Sequence, residues 1–84
     1  MARLKITRAS GEVIVAITPV VEYAFEKYFG TGIQKQIREH EKESDIYWLA
    51  HNALQRIEVI EPFGEKFLET LISVEVLDDE PVKK

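Results

Sequence analysis

The chain has 84 residues, 45% of them hydrophobic, and 15 carboxylates against 11 lysines and arginines give a net charge of -4. A chain this short forms one small domain burying only about 60% of its unfolded surface, so its stability margin is thin and partner binding adds to it. The composition excludes a disordered chain. No apolar run approaches the roughly 20 residues of a spanning helix, and without cysteine there is neither a disulfide staple nor thiolate chemistry.

Residues 3–17 read as a β-hairpin, within a hairpin unit taken as 2–17. Leu4 and Ile6 alternate with Arg3, Lys5 and Thr7, and Val13, Val15 and Ile17 alternate with Glu12, Ile14 and Ala16. Ala9, Ser10 and Gly11 supply the turn, Gly11 taking the positive φ that a short loop requires. The second strand is apolar on both faces, which predicts that it is the more buried.

Thr18 and Pro19 open a helix, with threonine able to cap and proline suited to the first turn. Its stripe is Val20, Val21, Ala24, Phe25, Tyr28 and Phe29, and Gly30 ends it as a left-handed cap. Tyr23 lies off the stripe. Residues 33–42 form a weaker helix whose inner face is marked only by Ile33 and Ile37, predicting a peripheral, relatively mobile element.

The longest unbroken helical pattern runs from Ser44 to Ile57, with Ser44 or Asp45 as its cap. Ile46, Tyr47, Leu49, Ala50, Ala53, Leu54 and Ile57 share one broad face. Ser44, Trp48, His51, Asn52 and Gln55 fall on the other, so the core stripe is complete without the only tryptophan. Pro62 stops the helix before Glu61. A last helix spans about Glu65 to Ser73, with Phe67, Leu68, Leu71 and Ile72 inward. Val74–Leu77 reads either as a short strand added to the hairpin or as a helix end packed on it. The whole is an α+β chain, mostly helical: an N-terminal β-hairpin, then a helical part over 18–77 with three to four short helices and room for a C-terminal strand. The domain is expected over 1–77, with a flexible acidic and polar tail over 78–84.

Little in this sequence carries chemistry. His40 and His51 lie on different helices with no His-x-x-x-His or Glu-x-x-His pair, and Glu39, Glu41 and Glu43 alternate around a helix instead of converging, so no metal site is expected. Ser10, Ser44 and Ser73 each have a structural explanation, no Gly-x-Ser-x-Gly elbow exists, and Gly30-Thr31-Gly32 lacks the lysine of a phosphate loop. No enzyme and no cofactor is expected. Residues 39–80 hold twelve carboxylates against Lys42, Arg56 and Lys66, while Arg3, Lys5 and Arg8 cluster at the start. Such a body does not bind nucleic acid by neutralising phosphates.

The aromatic residues off the stripes remain. Trp48 is either covered by the hairpin or by the helix at 33–42, or presented to a partner with Tyr23 and a polar rim of His51, Asn52 and Gln55. Half burial would satisfy both readings.

Asp45-Ile46-Tyr47-Trp48-Leu49-Ala50, the run from Pro62 to Leu71, and Val74-Glu75-Val76-Leu77-Asp78-Asp79 together resemble small proteins from the tail-gene clusters of long-tailed, siphovirus-type bacteriophages. Among these the chain looks most like the tail assembly chaperones, and the opening hairpin and the Ile17-Thr18-Pro19 helix start fit the same pattern. The resemblance implies a non-enzymatic protein of the host cell cytoplasm, away from membranes. It implies binding to the tape measure protein, keeping that long apolar helical polypeptide soluble, and recruitment of tail tube protein. It also implies a longer frameshifted product, and a second copy of the chain is a further partner to consider. The chain is short even for the shorter form of such chaperones. A structural virion component (a small tail or head–tail joining protein) or another small protein–protein adaptor is therefore the alternative.

Overall fold

The computed structural model describes residues 2–77. Strands β1 (Arg3–Arg8) and β2 (Gly11–Ala16) form the hairpin. Helices α1 (Pro19–Phe29), α2 (Ile33–His40), α3 (Glu43–Gln55) and α4 (Glu65–Thr70) follow, and β3 (Leu71–Leu77) closes the order. The architecture is α+β, as expected, and the expected tail over 78–84 lies outside the described residues.

The sheet is antiparallel throughout, in the order β2-β1-β3. Leu4 pairs with Val15 and Val76, and Ile6 with Val13 and Val74, so the period of two places all six on one face. Leu4, Ile6 and Val15 are buried there, and Val13, Val74 and Val76 pack at their margin. β1, in the centre, is the more buried strand of the hairpin, not β2. The reason is the return of β3 to the free edge of β1, which leaves β2 at the rim. Gly11 adopts φ 139° after the Ala9–Ser10 turn, a conformation that side chains rarely allow.

α3 packs over the inner face of this sheet, with α1, α2 and α4 around it. Leu49, Ala50, Ala53 and Leu54 join Phe25, Val21, Ile17 and Phe67 in one core. Enclosure on several sides buries polar positions of α3 as well as its apolar stripe.

Several boundaries depart from the sequence reading. Thr18 stands at the N-cap of α1 with extended backbone, but its hydroxyl makes no capping bond; Pro19 and the Gly30 cap are as expected, with φ 79° at Gly30. α3 begins at Glu43 after Lys42, so neither Ser44 nor Asp45 caps it. Asp45 instead turns inward, and its Oδ2 accepts a 3.0 Å hydrogen bond from Gln36 Nε2. That bond explains why Gln36, with Ile33 and Ile37 half-buried beside it, is the most enclosed residue of α2. α3 also ends at Gln55, which leaves Ile57 exposed and outside the core.

The last helix stops at Thr70, three residues short of the expected end. Thr70 Oγ1 donates to the Phe67 carbonyl at 2.7 Å, occupying an acceptor at the helix end. The aliphatic run from Leu71 then pairs with β1, so the strand alternative for Val74–Leu77 holds and starts earlier. Ile72 falls at the irregularity opposite Thr7 and Arg8, where it is exposed and not an inner-face residue.

Candidate functional site

α1 divides its apolar residues between two surfaces. Val21, Phe25 and Phe29, four residues apart, point to the core. Val20, Tyr23, Ala24, Lys27 and Tyr28 form an adjoining face, which is one wall of an open groove. Trp48, Asn52 and Arg56 recur at the same spacing on the α3 side and form the other wall. The helices run in opposite directions: Tyr28, near the end of α1, stacks on Trp48, while Thr18 and Val21, at its start, share a hollow with Ala53 and Arg56. The groove encloses about 570 Å³.

Trp48 is half-buried, and the rings that pack on it come from α1, not from the hairpin or the 33–42 helix expected to cover it. Its ring meets Phe25 and Phe29 edge-on at centroid distances of 5.9 and 5.4 Å, and stacks on Tyr28 at 4.7 Å with planes 17° apart. This cluster fixes the α1–α3 spacing and floors the groove with rigid aromatic surface. Val20, Tyr23 and Tyr28 are 48, 62 and 66% exposed, so the outer part of this wall is open. Lys27 Nζ lies 5.9 Å from the Tyr23 ring centroid, at the outer range of a cation–π contact.

The predicted polar rim does not hold together. Asn52 is only 7% exposed, and its Oδ1 accepts a 3.1 Å hydrogen bond from Arg56 Nε. It lines the groove as the support of an arginine and is not an open contact. His51, also 7% exposed, leaves the groove altogether. Its Nε2–H donates to the Glu61 carbonyl at 2.7 Å, and its ring meets Phe67 and Phe63 edge-on at 4.7 and 5.6 Å. The segment after α3 and α4 folds over that side of the helix, which is the physical reason. Gln55 is exposed on the last residue of α3 and does not line the groove. Of the five predicted residues, Trp48, Asn52 and Tyr23 are thus brought together, and His51 and Gln55 are not.

Val20, Lys27, Tyr28 and Arg56 are groove residues that the sequence reading does not assign to the site. A signal for them exists: Trp48, Asn52 and Arg56 at four-residue spacing, facing a stripe on α1 too wide for one surface. Beyond Arg56 a second hollow of about 300 Å³ continues to the β2 edge, flanked by the exposed Ile14 and Ile57. A hollow of about 360 Å³ under α2, with Glu22 and Arg38 among its lining, contains none of the predicted residues.

The α1–α3 groove has no carboxylate, serine, thiol or histidine among its lining, and so offers no nucleophile–base pair. Among the described residues no three His, Cys, Asp or Glu side chains cluster in a way that could hold a metal ion, and no helix is long and apolar enough to cross a membrane. What the groove can do chemically is cover apolar surface. Compared with protein-family models, curated proteins and solved structures, the chain gives no match.

Proposed function

We propose that this chain is a non-enzymatic binding protein that covers an apolar helix of a partner polypeptide, in the manner of a bacteriophage tail assembly chaperone. The observation that carries the reading is the exposed apolar wall of Val20, Tyr23 and Tyr28 on α1, beside the half-buried Trp48 in an open groove. Tryptophan and tyrosine are the residues that most often concentrate binding energy at protein interfaces. Both walls are helices whose backbone groups are already paired within the helix. An extended peptide would find no ladder to join, whereas a helix brings its own backbone bonds and adds only side chains. On this reading the partner is the tape measure protein in the host cytoplasm, with tail tube protein recruited to the same complex.

Co-expression tests it. The chain should keep the tape measure polypeptide of its own gene cluster in the soluble fraction and copurify with it. A Val20→Glu/Tyr23→Glu variant, shown to be folded by circular dichroism, should lose that capture. Undiminished capture by the folded variant would overturn the reading. So would finding the chain at stoichiometric level in purified particles, which would make it a virion component.

A further inference from the structure

The charge on the groove is opposite to the charge on the chain. The protein carries a net -4, yet the groove is lined by two cations, Lys27 and Arg56, and no acid. Two cations on the sheet have carboxylate partners: Lys5 lies 3.3 Å from Glu12, and Arg8 lies 3.0 Å from Glu58. Among the described residues neither Lys27 nor Arg56 has a carboxylate at ion-pair distance. Arg56 is nonetheless positioned, because Asn52, itself buried, holds its Nε, while the two terminal nitrogens of the guanidinium have no hydrogen-bond partner among the described residues. Such a fork matches a carboxylate in two-point geometry.

The two cations also stand at opposite ends. Lys27 belongs to the Tyr28–Trp48 end, and Arg56 to the end near Thr18 and Val21. From Val20 to Tyr28 the α1 wall runs eight residues, about 12 Å at 1.5 Å per residue, and Trp48 to Arg56 on the facing wall matches it. That length takes about two turns of a docked helix.

We propose that the occupant of this groove is a partner helix with a two-turn apolar stripe and a carboxylate at each end, the stripe lying on Trp48, Tyr28 and Val20 and the carboxylates meeting Lys27 and Arg56. The proposal rests on the groove reading above and adds the sign and spacing of the partner's charge. It makes the site a selector. An apolar helix flanked by lysines is repelled at both ends, so this acidic chain takes acidic-flanked stripes out of a mixture of apolar helices.

Trp48 is the only tryptophan, and its fluorescence reports groove occupancy directly. Two synthetic helical peptides suffice as probes, each with leucines at i, i+3, i+4 and i+7. One carries glutamates flanking the stripe, the other lysines at the same positions. The full chain should bind the glutamate peptide saturably, with weakening as salt rises, and should bind the lysine peptide at least about fivefold less tightly. An Arg56→Glu variant, altered at an exposed position, leaves one charge of each sign on the groove and should abolish that preference, and Lys27→Glu/Arg56→Glu should reverse it. Equal binding of both peptides with the same Trp48 response would overturn the charge proposal and leave the groove reading standing. No Trp48 response to either peptide would overturn the groove reading itself. A Trp48 response that depends on protein concentration without peptide would identify a second copy as the occupant and overturn the partner assigned here.

Discussion

The Tyr28 and Trp48 rings stack at 4.7 Å with planes 17° apart, and this contact ties the end of α1 to the first half of α3. Trp48 also meets Phe25 and Phe29, whereas Tyr28 is largely exposed, so the two residues differ in what they contribute. Replacing Trp48 by alanine should lower stability by about 3 kcal/mol, the low end for a large aromatic because the ring is half-buried. Tyr28→Ala should cost about 1 kcal/mol. A double-mutant cycle in urea, followed by circular dichroism, should give a coupling of roughly 0.5–1.5 kcal/mol. Strictly additive losses would mean that the stack contributes nothing.

The elements of this fold are legible in the sequence where one surface decides them. The hairpin follows from the alternation of Leu4 and Ile6 with polar neighbours, the turn at Ala9–Gly11 and the β-branched run from Val13, and α1 ends where Gly30 permits a left-handed cap. Legibility fails where two surfaces compete for one element. The six-residue stripe on α1 reads as core, yet Val20 and Tyr28 belong to the groove. On α3, His51 and Asn52 look like a solvent face because polarity is visible in a sequence and enclosure by α4 and α1 is not. Leu71 to Ser73 continue a helical pattern locally, and only the open edge of β1, more than sixty residues earlier in the chain, draws them into a strand.

Gln36 and Asp45 form a buried hydrogen bond of 3.0 Å between α2 and α3. Removing one partner leaves the other enclosed and unsatisfied, which is worse than removing both. Gln36→Leu should therefore destabilise by about 2 kcal/mol, and Gln36→Leu/Asp45→Leu by clearly less than the sum of the single changes. Denaturant unfolding of the four proteins checks this. Two independent, additive losses would show that the pair does not act as a unit.

His51 pins the segment between α3 and α4 by donating to the Glu61 carbonyl. His51→Leu should lower global stability by about 1 kcal/mol and speed amide exchange around residues 58–63 more than in the sheet. Its binding of the glutamate-flanked peptide should not change, because His51 lies outside the groove. A variant that keeps its exchange pattern but loses the peptide would return His51 to the binding surface and displace the structural role.

Two helix ends use the left-handed conformation, and only one has the residue suited to it. Gly30 caps α1 at φ 79°, whereas Glu41 caps α2 at φ 53° with a side chain that this region disfavours. A Cβ added at Gly30 meets nothing within 4 Å, so Gly30→Ala should destabilise by about 1 kcal/mol through the backbone alone. Glu41→Gly should act in the opposite direction. It relieves the left-handed strain, offset in part by the extra freedom of glycine in the unfolded chain, for a net gain of about 0.5 kcal/mol. Glu41 also places a negative charge at the negative end of the helix dipole, which contributes a few tenths of a kcal/mol more. Glu41→Ala separates the two terms, since it removes the charge and keeps the strain. Thermal unfolding should rank Glu41→Gly above Glu41→Ala, with Gly30→Ala below the parent chain. A Glu41→Gly protein no more stable than Glu41→Ala would show that the conformation at this cap carries no strain.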